Sequence, residues 1–249
     1  MDVGRPLGVA RLGVVDYEAA LGLQTAMVAA RLRDEIGDTL LILEHDHVFT
    51  LGRGADERFI VAAPAAPIHR VSRGGQVTYH GPGQLVGYPI LKLEGSSRDV
   101  TKYLRLLEQV MIDVLAEYGI DAERRAGFTG VWARDREIGA RELGARKIGS
   151  IGVGIRRWVT YHGFALNVST DLSYFDAIVP CGLSGCEMTS AAALGHREVT
   201  IAAMAGSVSG RFAAVFGYDR AVAIEPHRLW KLVPERTDET ASGGAEASR

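Results

Sequence analysis

The chain has 249 residues, of which 47% are hydrophobic and 23% charged, with a net charge of -2. That is apolar mass for one well-packed domain of ordinary size, and it excludes a chain that is disordered by composition. The near-neutral balance gives no sign of a nucleic-acid or membrane-surface binder, and no apolar run is long enough to cross a bilayer. The start, Met1 to Pro6, lacks the basic, apolar and cleavage-site regions of a secretory signal. A cytoplasmic setting is expected, with neither nucleic acid nor membrane as partner. Two cysteines, Cys181 and Cys186, are too few for a disulfide framework. A bridge closing so short a segment would also stabilise little, because loop-closure entropy grows with loop length.

In chain order, residues 7–15 read as a first strand. Asp16 then caps a helix reaching about residue 36, with Ala20, Leu23, Met27 and Ala30 at helical spacing. Residues 39–44 form a short buried strand. Residues 52–67 turn to Gly, Ala, Pro and charge and read as loop, and residues 68–93 mix β-formers with a dense set of glycines. A second helix is capped by Asp99, striped by Leu104, Leu107, Met111, Val114, Leu115 and Tyr118, and ended by Gly119. Strand patterns follow at 130–134, 147–155 and 159–168, then a helix over 200–216 with Ile201, Met204, Val208, Phe212 and Val215 on one face. From residue 235 the chain is polar and rich in Ser, Gly and Ala, which predicts a disordered tail over 235–249 behind a single domain over 1–234. Helices and strands mix without regular βαβ alternation, so the fold class is α+β, with a mixed or antiparallel sheet and flanking helices.

Three segments are candidates for chemistry. Cys181 lies in Ile178-Val179-Pro180-Cys181-Gly182-Leu183-Ser184-Gly185, where Pro180 fixes one backbone angle and the glycines permit a sharp turn with open access to the sulfur. The loop reads either as the seat of a nucleophile or as a turn with a small residue packed beneath it. Cys186 lacks the Pro-Cys-Gly setting and reads as structural. A thiol reacts as its thiolate, which a nearby cation favours. Lys147, in Gly144-Ala145-Arg146-Lys147-Ile148-Gly149-Ser150-Ile151-Gly152, is the candidate cation, with a solvated surface lysine as the alternative. The third segment, Arg73-Gly74-Gly75-Gln76-Val77-Thr78-Tyr79-His80-Gly81-Pro82-Gly83-Gln84, matches neither a phosphate-binding loop nor a dinucleotide fingerprint. Its glycines suit a cleft wall against which an extended ligand lies. Glu44-His45-Asp46-His47 has no second ligand pair at metal spacing, so no metal is expected. Val77-Thr78-Tyr79-His80-Gly81 recurs as Val159-Thr160-Tyr161-His162-Gly163. Each copy places Thr and His on one strand face and Tyr on the other. Two strands lining one cleft and a chance echo are both open.

Residues 73–89, Lys147-Ile148 with Ile151-Gly152, His162-Gly163-Phe164-Ala165-Leu166-Asn167 and Pro180-Cys181-Gly182 occur in this order. Together they resemble the lipoyl(octanoyl) transferases of lipoate biosynthesis, from about residue 40 to residue 189. The resemblance implies a biotin/lipoate ligase-like catalytic domain. It also implies transfer of an octanoyl group from octanoyl-acyl carrier protein to a lysine of lipoyl domains, in 2-oxo-acid dehydrogenases or the glycine-cleavage H protein. Cys181 then carries the acyl group as a thioester and Lys147 tunes it. Arg73, Gly74, Gly75, Gln76, Val77, Thr78, Tyr79 and His80, with Ser150, Ile151, Gly152, Gly163, Phe164 and Ala165, hold the substrate. No cofactor is implied, since exchanging thioesters is near balance and forming an amide from one is downhill. Gly149 and Ser150 stand where the family often has two alanines.

Residues 124–157 hold Arg124, Arg125, Arg134, Arg136, Arg141, Arg146, Lys147, Arg156 and Arg157 against Asp135, Glu137 and Glu142, a local excess of +6. An acidic carrier protein would find that charge attractive, and a solvated insertion would look the same. The rivals are an ATP-dependent lipoate or biotin ligase on the same fold, a binding module without catalysis, and a thiol hydrolase.

Overall fold

A computed structural model describes residues 5–134, 145–183 and 185–234. The predicted disordered tail, 235–249, lies outside them, as do Arg136 and Arg141. The predicted mixed sheet is present. Its eight strands are β1 (Pro6–Val14), β2 (Thr39–Glu44), β6 (Gln84–Ile90), β7 (Ala122–Arg125), β8 (Phe128–Arg134), β9 (Ala145–Arg156), β10 (Val159–Asn167) and β11 (Arg220–Ala223). They run in the order β11-β1-β2-β6-β10-β9-β8-β7. The pairs β11–β1 and β1–β2 are parallel and the rest antiparallel. A small second sheet orders β4 (Ile68–Arg70), β3 (Val48–Leu51) and β5 (Val77–His80).

Strand alternation divides the apolar residues between the two faces of the large sheet. Leu40, Ile42, Leu85, Phe164 and Leu166 pack against α2 (Val100–Glu117) and α3 (Ile201–Val215). Leu41, Leu43, Val86, Tyr88 and Ala165 pack on the other side against α1 (Tyr17–Leu32), where α4 (Pro226–Trp230) adds Leu229. The helix starts are capped at the two predicted residues, Asp16 accepting from the Ala19 N–H at 2.9 Å and Asp99 from Lys102 at 2.9 Å, and Thr200 also caps its helix, accepting from Ala203 at 3.2 Å.

The differences from expectation are local. α1 stops at Leu32, short of residue 36, as Asp34 turns left-handed (φ 58°) and Arg31 bonds Asp34 and Asp38. In α2 the buried stripe takes Tyr103 and leaves Leu104 half-exposed. β3, β7, β11 and α4 were not predicted. β3 is only four residues long and follows a charged run, while β7 reads Ala-Glu-Arg-Arg and lies at a sheet edge, where charge is favoured.

Candidate active site

Two irregularities in the strands shape the wall of the site. Between Val131 and Trp132 the β8–β9 register shifts, and Lys147 lies opposite Trp132. Ile148 enters the core beneath α2 and α3, and an added Cβ on Gly149 would also point there, 2.8 Å from Met111 Sδ. This bulge puts consecutive residues on one face, so Lys147 and Ser150, three apart in sequence, both face the opposite side. The departure at Gly149 is therefore a packing matter beneath α2, whereas Ser150 borders the cavity.

Gly130 leaves room for the lysine. Its φ is +116°, and a Cβ there would stand 2.9 Å from Lys147 Cε and 2.5 Å from the Gly149 carbonyl. The Gly130 N–H donates to buried Glu108 Oε1 at 3.1 Å, which ties the strand to α2. Lys147 is 1% exposed, and its Nζ donates to the Thr129 carbonyl at 2.8 Å and to Cys181 Sγ at 3.2 Å. The Trp132 ring lies 5.2 Å from Nζ. A cation so buried needs compensation, and among these contacts only the sulfur can carry negative charge.

Cys181 reaches the lysine from a tight turn, Pro180–Gly182, with φ +57° at the cysteine itself. A left-handed non-glycine residue costs about 1 kcal/mol, and such strain concentrates where function needs a particular aim. Gly182 has no room for a side chain, since a Cβ would meet Gln76 Cγ at 2.9 Å and the Phe59 ring at 3.0 Å. Cys186 is half-buried on the same loop, borders a separate cleft of about 540 Å³, and burial pushes its thiol up to about 11.

Sulfur and lysine open on a cavity of about 240 Å³ on the α1 face of the sheet. Arg73, Gly75, Gln76, Val77, Thr78, His80, Ser150, Ile151, Gly152, Gly163, Phe164 and Ala165 line it, so fourteen expected residues meet when Cys181 and Lys147 are included. Gly74 and Tyr79 stand outside the lining. Gly74 fastens the loop to β9 through its N–H on the Val153 carbonyl at 2.9 Å. Tyr79 points the other way on β5, fully buried, with its hydroxyl 2.6 Å from His47 Nδ1 and its ring stacked on Tyr174. Tyr17, Tyr88, Gly127, Phe128, Thr129 and Leu183 also line the cavity and were not expected there, and His162, raised only through the repeated Val-Thr-Tyr-His-Gly segment, joins them. Of these, Tyr88, His162 and Leu183 stand inside the motif segments.

Arg73 is buried, and burial holds its guanidinium below its ordinary value. Its Nε and Nη2 donate to Thr50 and its Nη1 to the Gly74 carbonyl, all neutral acceptors. Burial also lowers the nearby histidines, His80 to about 3 and His45 and His162 to about 4, so all three are neutral at pH 7. His45 bonds the Val15 carbonyl and the Tyr88 hydroxyl, His47 bonds Tyr79, and Glu44 accepts from the Gly83 N–H at 2.8 Å. These groups thus have separate structural duties.

The sequence echo is partly spatial. His80, Thr78 and His162 all line the cavity, whereas Thr160 is buried, its hydroxyl donating to the Pro89 carbonyl at 2.7 Å. The basic segment is not one patch. Arg124 pairs with Glu108 and Arg134 with Glu123, and Arg156 lies nine residues along β9 from Lys147, about 30 Å at 3.3 Å per residue. Arg125 is at the sulfur end, over the rings of Trp132 at 4.8 Å and exposed Phe128 at 5.7 Å.

Comparison with known proteins was made on sequence and on fold. The family described as Lipoyl protein ligase A/B catalytic domain matches residues 16–213. An octanoyltransferase of Solibacter usitatus (strain Ellin6076) is 47% identical over 215 residues, covering 84% of this chain and 92% of its own. One from Gloeobacter violaceus (strain ATCC 29082 / PCC 7421) is 53% identical over 175 residues, covering 69% and 74%. Among solved structures, a bi-partite lipoate protein ligase of Thermoplasma acidophilum aligns with a TM-score of 0.63 at 19% identity, covering 92% of this chain and 90% of that one. A lipoate-protein ligase A bound with ATP aligns with a TM-score of 0.63 at 17% identity, covering 90% and 92%. At such identities the structural likeness speaks for the fold.

Proposed function

The chain belongs to the lipoyl protein ligase A/B catalytic-domain family, as one of its octanoyltransferases, and from that premise we propose that it moves an octanoyl group from acyl carrier protein to a lipoyl-domain lysine through a thioester on Cys181. The observation that carries this reading is the 3.2 Å approach of Lys147 Nζ to Cys181 Sγ at the wall of an acyl-sized cavity.

In the first step the Cys181 thiolate, stabilised by the ammonium beside it, attacks the carbonyl carbon of the carrier's thioester. The tetrahedral intermediate collapses with loss of the carrier thiolate, which takes a proton from Lys147. In the second step the neutral amine of Lys147 takes a proton from the attacking lysine as the amide forms. Cys181 leaves as thiolate beside the restored cation. The lysine is thus proton donor in one half-reaction and acceptor in the other. The Gly182 N–H already donates to the Val179 carbonyl at 3.0 Å, so Lys147 is the charged donor nearest the developing oxyanion. Residues 73–80, 150–152 and 163–165 would hold the acyl chain, with Gly74 and Tyr79 acting through the placement of their neighbours.

On this reading residues 1–234 act as one cytoplasmic catalytic domain. Among the described residues no helix is long and apolar enough to cross a membrane. The acidic carrier would meet the mouth at Arg125 and Phe128, and the acceptor would be a lipoyl domain of a 2-oxo-acid dehydrogenase or an H protein. Incubation with octanoyl-acyl carrier protein and a lipoyl domain, without ATP, should yield octanoyl-lysine. A requirement for ATP and free octanoate, or release of octanoate with the lipoyl domain unmodified, would overturn the proposal.

A further inference from the structure

The end of the cavity remote from Cys181 is polar. His162 pairs with Val153, six residues beyond Lys147 on β9, about 20 Å along the strand at 3.3 Å per residue. Regular alternation would put His162 beneath α2 and α3 with Phe164 and Leu166. Its φ of +52° turns it out of that pattern, and the ring joins the cavity wall 6.3 Å from Tyr88. The Gln24 side chain of α1 holds this backbone by accepting from the His162 N–H at 2.7 Å. The residue is 2% exposed, yet neither ring nitrogen has a protein partner among the described residues, and Nε2 is buried and unbonded. A neutral imidazole has one N–H and one lone pair, so both functions are unspent. Native structures rarely leave a buried polar group in that condition.

Its neighbours have the same surplus. Gln84 spends its amide N–H groups on the Tyr79 carbonyl and Asn167, so its Oε1 accepts from His80 Nδ1 at 2.7 Å. That fixes the tautomer and leaves His80 Nε2 as an unbonded acceptor. The Tyr17 hydroxyl, on a residue only 4% exposed, has no hydrogen-bond partner among the described residues. Tyr88 donates to His45 Nε2, because His45 Nδ1 must donate to the Val15 carbonyl, and its oxygen is left free to accept. The rings form one cluster: Tyr17 and His80 lie 6.2 Å apart, and His45 touches Tyr17, His80 and Tyr88 at 5.1, 5.8 and 5.8 Å. An all-hydrocarbon tail answers none of these groups.

We propose that His162, with Tyr17 and His80, forms a hydrogen-bonding terminus to the acyl cavity, so that the enzyme accepts an eight-carbon acyl group bearing a hydroxyl at its distal end. His162 is then a specificity-determining residue for the distal substituent. The inference rests on the acyl-transfer reading above. With the plain octanoyl chain the same groups hold water beyond the methyl. With the hydroxylated chain the hydroxyl replaces that water, and the chemistry at the carbonyl is unchanged: Cys181 Sγ displaces the pantetheine thiol.

The test measures thioester formation on Cys181 by intact-protein mass spectrometry, using octanoyl-pantetheine and 8-hydroxyoctanoyl-pantetheine. An apolar pocket disfavours an added hydroxyl by up to about 100-fold. The wild-type enzyme should instead react with the two within about threefold of each other, the span expected when the hydroxyl keeps its hydrogen bonds. In His162→Leu the hydroxylated-to-plain ratio should fall at least about tenfold, and His162→Gln, which keeps a donor and an acceptor, should restore most of it. A wild-type preference for the plain chain of tenfold or more overturns the proposal without any variant, as does an unchanged ratio in His162→Leu. No adduct from either thioester would overturn the acyl-transfer reading itself, and the proposal with it.

Discussion

Cys181 and Cys186 stand five residues apart on one loop and are both half-buried, yet their surroundings differ. Cys181 is strained into a left-handed turn, faces the cavity and has an ammonium 3.2 Å from its sulfur. Cys186 faces the other cleft, and burial without such a contact pushes its thiol up to about 11. The Pro-Cys-Gly setting already marks Cys181 apart in the sequence, but it does not say what each sulfur meets. β9 runs beside both, the Lys147 N–H donating to the Glu187 carbonyl at 2.8 Å, and what separates them is that the Lys147 side chain ends at the Cys181 sulfur, 3.2 Å away.

The hardest blow to the contrast is Cys181→Ala, which should cut transfer by at least about 10³-fold with the fold intact, by circular dichroism and melting. Lys147→Met comes next. It removes the proton relay and should lower kcat about 100-fold. It should not lower the melting temperature, because an apolar side chain replaces a buried cation. Gly130→Ala tests the room made for the lysine: its Cβ at 3.1 Å from Nζ and its φ of +116° predict a roughly tenfold loss of rate and about 1–2 kcal/mol of stability. Cys186→Ser is the smallest, with activity within about twofold of the parent, as expected of a substitution away from the reacting atoms. A Cys186→Ser enzyme as damaged as Cys181→Ala would erase the comparison.

Much of this was legible in the sequence. The order of the four motifs led to the family, and helical spacing, with Asp16 and Asp99 as caps, located the helices. The cavity's glycine-rich wall could be read because backbone exposure leaves a compositional mark. Other features left none. The bulge at Ile148 and Gly149, which sets Lys147 and Ser150 on one face, depends on the partner strand's register. The turn at His162 breaks an alternation that the residues themselves obey. Tyr17 lies in the first turn of α1 and carries no motif, and only the packing of α1 on the sheet brings it to the cavity. The basic run over 124–157 was visible, but its division into ion pairs, a distant hairpin tip and a residue at the mouth was not, because strand length separates what sequence joins.

The central claim is that one cysteine, and not its neighbour, carries the acyl group between two proteins. Freshly reduced enzyme incubated with octanoyl-acyl carrier protein, quenched in acid and mapped by peptide mass spectrometry, tests it directly. The account predicts an octanoyl thioester on the peptide containing Cys181, none on Cys186, and loss of the adduct when a lipoyl domain is added. Transfer to the lipoyl domain without any adduct on Cys181, or an adduct on Cys186, would contradict it.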